Sequence, residues 1–297
     1  MSLTAVLAMD TGMTQFAAST HQGLVRDHNE DCYDANPELG LWLVADGVGG
    51  HANGEVASDI VKTTIRENIA AGNNLIDAIT HAHEAVLAEI KSRDTGSNMG
   101  STVVALRLQG NDYEIAWVGD SRAYLYDGAV RQLSRDHNPV SELVAAGILT
   151  RDQAAKHPDR HVLTQSLGVS ETVNLKPDRI TGTLLPGQQI ILCSDGLSDG
   201  VSTVAMAGIM KHQHTNQAQV EALQNAALGA GGHDNITIVV VGSPEETTTI
   251  PADDSRPDLQ TTQELPSVSA TAGPVSHNGK IILLAGVMMA LAIWWIF

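Results

Sequence analysis

The stretch 41-LWLVADGVGGHANGE-55 decides how the chain is to be read. Its first five residues, Leu41 to Ala45, are apolar and suit a buried strand, yet the run ends on a carboxylate, Asp46. Desolvating a carboxylate is expensive unless it is paired or bound to metal, so a buried strand gains nothing by ending on one alone. Three glycines, Gly47, Gly49 and Gly50, follow within four residues. Such density points to backbone that takes positive φ or passes close to something. Asp46 must face a partner.

The same grammar recurs. Asp120 follows an apolar run in 115-IAWVGDSRAYL-125, Asp195 follows one in 190-IILCSDGLSDG-200, and Asp234 precedes one in 231-GGHDNITIVVV-241. A single Asp at a strand end is usually a turn residue. Four in one domain, beside glycines, suggest convergence. Converging carboxylates repel one another unless cations neutralise them, and hard oxygen ligands without Cys or paired His suit Mg²⁺ or Mn²⁺ rather than Zn²⁺. Two such ions can share a water, lower its pKa and polarise a phosphoryl group. A thiol nucleophile is not indicated: Glu38 and Asp199 stand where a C-x₅-R phosphate loop starting at Cys32 or Cys193 would need arginine. In 23-GLVRDHNEDCYD-34, Arg26 offers a fork for two phosphate oxygens. Glu30 and Asp31 are candidates for metal or metal-bound water.

With these motifs in hand the chain resembles the bacterial metal-dependent protein phosphatases of the PPM, or type 2C, family. The resemblance rests on VRDHNED (25–31), VADGVGGHANGEVAS (44–58), GSTVV (100–104), VGDSRAYL (118–125), LCSDGLSD (192–199) and GGHDNIT (231–237), in the family's order and across residues 14–242. It implies hydrolysis of phosphoserine and phosphothreonine on proteins at a binuclear Mn²⁺ or Mg²⁺ site, with a third ion in bacterial members. Asp46 matches the carboxylate that bridges the metals, and Gly47 the residue that lends a carbonyl. Asp195 and Asp234 match the remaining ligands of the first ion. Glu30 matches a ligand on the second ion's side, with Asp31 supporting it. Asp120, sharing Asp195, matches the third-metal carboxylate, and Arg26 the phosphate anchor. The implied fold is α+β, a β-sandwich of two antiparallel sheets flanked by helices in four layers, αββα. Animal members carry a proton-donating His directly after the Asp-Gly pair. Val48 stands there, so the acid is either His51, the nearest candidate in the sequence, or a metal-bound water.

Bulk composition sets the wider limits. The 297 residues, 43% hydrophobic, suffice for one large domain or two small ones. A net charge of −17 argues against nucleic acid and against attachment to anionic lipid by charge alone. Two cysteines make no disulfide framework. The N-terminus has neither a basic region nor a long apolar core, so no secretory signal is expected.

Residues 1–242 read as the catalytic domain, expected to be monomeric. Strands are predicted at 14–19, 41–46, 101–109, 112–119, 122–127, 189–194 and 235–242, and helices at 53–71, 73–92, 138–147, 150–157 and 215–228. Asn73 and Thr150 are the expected N-caps. Residues 136–168, interrupted by Pro139, Gly147 and Pro158, resemble the family's flap segment. Residues 243–279, rich in Pro, Ser, Thr and acids, read as a disordered linker. Residues 280–297 read as a C-terminal transmembrane anchor: seventeen uncharged residues follow Lys280, and as a helix they span roughly 26 Å. From the apolar tail the domain is expected on the cytoplasmic face of the membrane, and the resemblance implies phosphoproteins as substrates and a Ser/Thr kinase as the opposing partner.

Other readings fare worse. The 47-GVGGHA-52 match to a dinucleotide fingerprint lacks the βαβ return strand, and its Asp46 would press on a pyrophosphate. No P-loop is present. A pseudophosphatase that binds phosphoproteins or acts as a scaffold is the main alternative, but it should have lost metal ligands, and every matched one is present. The pairs His81/His83 and His212/His214 point to different helix faces and are expected on solvated surface.

Overall fold

The strand that carries Asp46 shows how the layers arise. In β3 (Leu41–Gly49), Leu41, Leu43 and Ala45 face one side and pack against helices, while Trp42 and Val44 face the other and pack into the space between two sheets. An all-apolar run with period-two side chains is the pattern of a strand buried on both faces. The computed structural model describes residues 14–49, 53–93, 98–169 and 175–242.

One sheet has the order β2 (Asp31–Asn36), β3, β5 (Val103–Gln109), β6 (Asp112–Val118) and β9 (Asp178–Thr183), with β4 (Met99–Ser101) on the end of β3. The other has β1 (Phe16–His21), β11 (Ile236–Val241), β10 (Gln189–Cys193), β7 (Arg122–Tyr126) and β8 (Val130–Gln132). Every pairing is antiparallel. Helices α1 (Asn53–Ala70) and α2 (Leu75–Ser92) cover the first sheet through Val61, Ile65, Ile79 and Val86. Helices α6 (Thr203–His212) and α7 (Asn216–Gly229) cover the second through Met206, Met210, Val220 and Leu223. Trp42, Leu106, Trp117, Leu192 and Val239 fill the middle. Three apolar layers between four structural layers give the αββα sandwich expected from the resemblance.

The differences from the sequence reading have local causes. β2, β8 and β9 went unpredicted: β2 and β9 are edge strands of mixed polarity, and β8 has three residues. Helix α6 carries Gly208 and an exposed Val204, which blur its apolar stripe. The expected strand 101–109 breaks at Thr102 into β4 and β5. The cap of α2 is Asn74, not Asn73, its side chain accepting from the Asp77 N–H at 2.9 Å. Thr150 does cap α4 (Arg151–Ala154): its hydroxyl accepts from Gln153 N while Gln153 Oε1 accepts from Thr150 N, the reciprocal pattern of a capping box. His83 is a correction. It lies on the buried stripe of α2 with Ala82 and Val86, and Nδ1 accepts from Gly168 N at 3.0 Å. His81, two residues away, is exposed and bonds Asn68.

Among the described residues no helix is long and apolar enough to cross a membrane. The expected linker 243–279 and anchor 280–297 lie outside the described residues, as do Gly50 and His51.

The flap is shorter than 136–168. Asp136, His137 and Asn138 are buried, and Leu167 is bridged to Ser101 by two backbone bonds of 2.8 and 3.1 Å. Between these roots lie α3 (Pro139–Ala145), α4 and a 3₁₀ turn (Pro158–His161), mostly exposed. Few buried contacts mean low local stability. Amide exchange measured by mass spectrometry should therefore be faster in 139–163 than in β10 and β11, and equal protection would contradict a separable flap.

Candidate active site

The strand ends deliver the acids to one mouth of the sandwich. Antiparallel register sets Asp31 opposite Asp46 on β2 and β3. The break at Thr102 wraps the Asp46 backbone: Thr102 N–H donates to Asp46 O at 2.8 Å, and Asp46 N–H donates to Thr102 Oγ1 at 3.2 Å. Gly47 has no positive φ, and its role is close approach. A Cβ there would collide with the Gly54 carbonyl and lie 2.7 Å from Glu30 O, to which Gly47 N–H donates. Gly119 does need its φ of 103°, and the turn it makes places Asp120 just past β6. Asp195 opens the short α5 (Asp195–Ser198) directly beyond β10, and Asp234 precedes β11.

These residues line one cleft of about 900 Å³. Glu30, Asp46, Asp120, Asp195, Asp199 and Asp234 supply six acids against two arginines, Arg26 and Arg160. Gly47 lines it as well, whereas Asp31 lies beneath it, buried. The Asp31 carboxylate accepts from Ser194 Oγ at 2.7 Å through Oδ2, while Oδ1 has no partner. Asp195 Oδ1 is likewise buried without a partner. Arg26 is held by Asp234, Nη2 donating to Oδ2 at 2.7 Å, with the arginine side chain 53% exposed.

The electrostatics follow from crowding in low dielectric. Burial raises Asp46 well above the usual carboxylate range, and the charges of Asp31, Asp195, Asp120 and Asp234 add to it. Asp195 is raised well above that range by burial, then by Asp120 and Asp234. Burial pushes Asp31 up to about 7, partly offset by the hydrogen bond from Ser194. It pushes Asp120 up to about 6 and raises Glu30. The thiols are no rivals as nucleophiles, because burial pushes both Cys32 and Cys193 up to about 12.

Several site-building residues escaped the sequence reading. Asn235 staples the Arg26–Glu30 loop to β11: its Nδ2 donates to Gln22 O and His28 O, and its Oδ1 accepts from Glu30 N at 2.8 Å. Ser194 ties Asp31 to β11 by also accepting from Thr237 N at 3.0 Å. His161, from the flap, lines the cleft, with a ring nitrogen and one oxygen each of Asp120 and Asp195 all within 4.8 Å of one another. The first two sit inside quoted motifs and could be suspected there. Nothing local marks His161.

The family model for protein phosphatase 2C matches residues 20–228. The chain belongs to that family. It is 34% identical over 241 residues to the serine/threonine protein phosphatase PstP of Mycobacterium tuberculosis, an alignment that covers 79% of this chain and 46% of PstP. The chain thus spans about half the length of that relative. Against the serine/threonine phosphatase stp of Listeria monocytogenes, identity is 31% over 236 residues, with 75% of this chain and 93% of that one covered. The crystal structure of the M. tuberculosis PstP/Ppp phosphatase superposes with a TM-score of 0.71 at 32% identity, covering 78% of this chain and all of that one. A crystal structure of the PstP catalytic domain in complex with two manganese ions gives 0.69 at 30%, covering 78% and 99%.

In this member of the protein phosphatase 2C family, the raised carboxyl groups make a statement about stability. A carboxyl whose pKa is higher folded than unfolded holds its proton longer in the native state, so its stabilisation is complete below about pH 4 and is lost as pH rises through the folded value. With Asp120 at about 6 and Asp31 at about 7, the loss falls between about pH 4 and 7. In EDTA, urea unfolding should show lower stability at pH 7.5 than at pH 5, by a few kcal/mol. Asp31→Asn should flatten that slope, and a stability that rises with pH would contradict the crowding described.

Proposed function

We propose that the chain is a metal-dependent phosphatase that hydrolyses phosphoserine and phosphothreonine on proteins, with two Mn²⁺ or Mg²⁺ ions held in the cleft. One observation carries the reading: acids outnumber arginines six to two along the cleft, and two buried carboxylate oxygens, Asp31 Oδ1 and Asp195 Oδ1, have no donor. Buried charges without partners are tolerated where they coordinate metal, and an all-oxygen donor set suits hard divalent ions. The residues fit the cofactor.

On this reading Asp46 and the Gly47 carbonyl would help to hold both ions. Asp195 and Asp234 would complete the first site, Glu30 would serve the second, and Asp120 with Asp195 would serve a third. Asp31 supports the set from beneath. Bound ions supply Lewis acidity there, lowering the pKa of water and polarising a phosphoryl oxygen. Arg26 orients the substrate, because its half-exposed fork can leave Asp234 and take two phosphate oxygens. The departing serine or threonine oxygen needs a proton. Val48, 50% exposed in the cleft, cannot give one. His51 is the residue we assign to that role, on its proximity in sequence alone.

Phosphopeptide hydrolysis should require Mn²⁺ or Mg²⁺ and cease on full chelation. Asp46→Asn or Asp234→Asn should each lower kcat by roughly 10²-fold or more, as removal of a charge-stabilising group does. Arg26→Ala should act mainly on KM, raising it about ten-fold. Activity that survives chelation would sink the metal mechanism, and an unchanged KM would remove Arg26 from the site.

We place residues 1–242 as the catalytic domain, 243–279 as a tether and 280–297 as the anchor. The support is the uncharged apolar run after Lys280 and the polar, acidic stretch before it. A flexible coil of that length gives a reach of about 30–40 Å. The domain would face the cytoplasm and act as a monomer on membrane-proximal phosphoproteins made by a Ser/Thr kinase. Deleting 281–297 should move the protein from the membrane fraction to the supernatant with peptide hydrolysis intact. A full-length chain that is soluble without detergent would overturn the anchor.

A further inference from the structure

The cleft is acidic in its depth and apolar at its rim. Among the described residues, eight large apolar side chains are at least half exposed, and four of them stand at this one mouth. Leu24 and Val25, 67% and 61% exposed, directly precede the anchor Arg26. Val48 lines the cleft itself, and Val162 stands between two lining residues, His161 and Leu163. Single scattered exposures are ordinary, whereas a cluster beside a binding cleft marks a contact surface. The pair next to Arg26 is held most firmly. Gly23 takes a φ of 80°, and a Cβ there would collide with the carbonyl oxygens of Asp234 and Gly232. Leu24 N–H donates to Gly232 O at 2.7 Å, Gln22 Nε2 donates to Arg26 O at 3.0 Å, and Asn235 Nδ2 donates to Gln22 O and His28 O. A well-bonded loop thus keeps two aliphatic side chains out in water.

Leu24 leans onto the cleft wall. A Cβ built on Gly232, a lining residue, would lie 2.9 Å from Leu24 Cγ and 3.2 Å from Leu228 Cδ2, so both leucines rest on the wall at that point. Val25 extends the apolar surface toward Arg26. With a substrate phosphate on Arg26, a neighbour of the phosphoresidue comes within reach of this surface. We infer that Leu24 and Val25 determine specificity: they receive an apolar side chain adjacent to the phosphoresidue, so the favoured substrates are phosphopeptides with a large apolar residue directly before or after it. This preference rests on the function proposed above and names the peptides that function favours. Covering Leu24 and Val25 removes apolar surface from water. Because their loop is already ordered, little entropy is lost in making the contact. A serine or lysine in the same place gains none of this. The contact lies away from the reacting phosphoryl group and is equal in ground and transition states, so it acts on KM rather than on kcat.

The full chain with Mn²⁺, acting on a series of phosphothreonine peptides, provides the test. The peptides differ only in carrying leucine, serine or lysine directly before or after the phosphoresidue. Leucine in one of those two places should raise kcat/KM about ten-fold over serine, the low end for filling an apolar contact, and should do so through KM. Leu24→Ser should remove most of that preference, and Leu24→Met should keep it. Hydrolysis of p-nitrophenyl phosphate, which has no peptide, should be the same in the wild type and both variants. If the wild type hydrolyses all the peptides equally, or if the leucine preference survives in a Leu24→Ser, Val25→Ser double variant, this inference is overturned and the proposed function stands. If Leu24→Ser loses p-nitrophenyl phosphate hydrolysis as well, Leu24 supports the loop rather than reads the peptide, and the inference is again overturned. A wild type that hydrolyses none of the phosphopeptides would overturn both.

Discussion

Mutual repulsion among buried carboxylates is the constraint to which the rest of this structure answers. Asp46 and Asp195 are raised first by burial and then by the carboxylates around them, Asp120, Asp234 and Asp31 acting on both, so the native state carries a strain that the sandwich must resist. It does so by taking each acid from the end of a strand or the turn beside it, where side-chain direction is set by the backbone. Those ends are then locked from behind. Thr102 encloses the Asp46 peptide, Ser194 links Asp31 to β11, and Asn235 fastens the loop that carries Glu30. Neutral hydroxyl and amide groups do this fastening, and they can do it without quenching the negative charge that a cation site requires.

The layers behind the mouth are ordinary by comparison, and the sequence shows why so much of them could be read. Strands buried on both faces, such as Leu41–Ala45 and Ile236–Val241, leave continuous apolar runs, and α1 and α7 leave stripes at helical spacing. The acids were legible because Asp beside an apolar run is a local signal that recurs. What stayed hidden depends on tertiary pairing. Edge strand β9 alternates in exposure but turns only one large apolar side chain, Ile180, toward the core, and β2 mixes Asp and Asn with Cys, Tyr and Ala, so neither leaves an apolar period-two pattern. Asn74 and Asn73 are equally good caps until the helix has a fixed start. His83 looked solvated because it was judged with His81 rather than with Ala82 and Val86, which share its buried face. His161 comes from a segment with no periodicity, and only the folding of the flap over the cleft brings it to Asp195.

That folding is not loosely hinged. The flap leaves the domain through a buried clasp. Arg122 grips Asp136 with contacts of 2.7 to 3.1 Å, and His137 exchanges two bonds with Gly119, its N–H donating to Gly119 O and its Nδ1 accepting from Gly119 N. Thr164 N–H then returns to His137 O at 2.8 Å. Removing one partner of a buried ion pair leaves a charge uncompensated and costs about 3–5 kcal/mol, so Arg122 and Asp136 make a firm root. The turn so held is the one that presents Asp120. The flap's base and a cleft carboxylate therefore belong to one rigid unit, while the flap's tip, with Arg160 and His161, remains exposed.

Arg26 shows the opposite choice. Its pair with Asp234 sits at the open side of the cleft, with side chains 53% and 33% exposed. Ion pairs this exposed contribute about 0–1 kcal/mol, so breaking one costs little compared with the buried clasp at Asp136. A phosphate monoester offers two oxygens and more charge than Asp234 alone, which makes the exchange favourable for a bidentate guanidinium. On the proposed reading Asp234 is also a cation ligand, so neutralisation of its charge weakens the hold on Arg26 further. The weak pair thus keeps the arginine at the mouth in the free protein and yields it once cleft and substrate are both charged for reaction. Strong pairing is spent on geometry, and weak pairing is kept where a side chain must move.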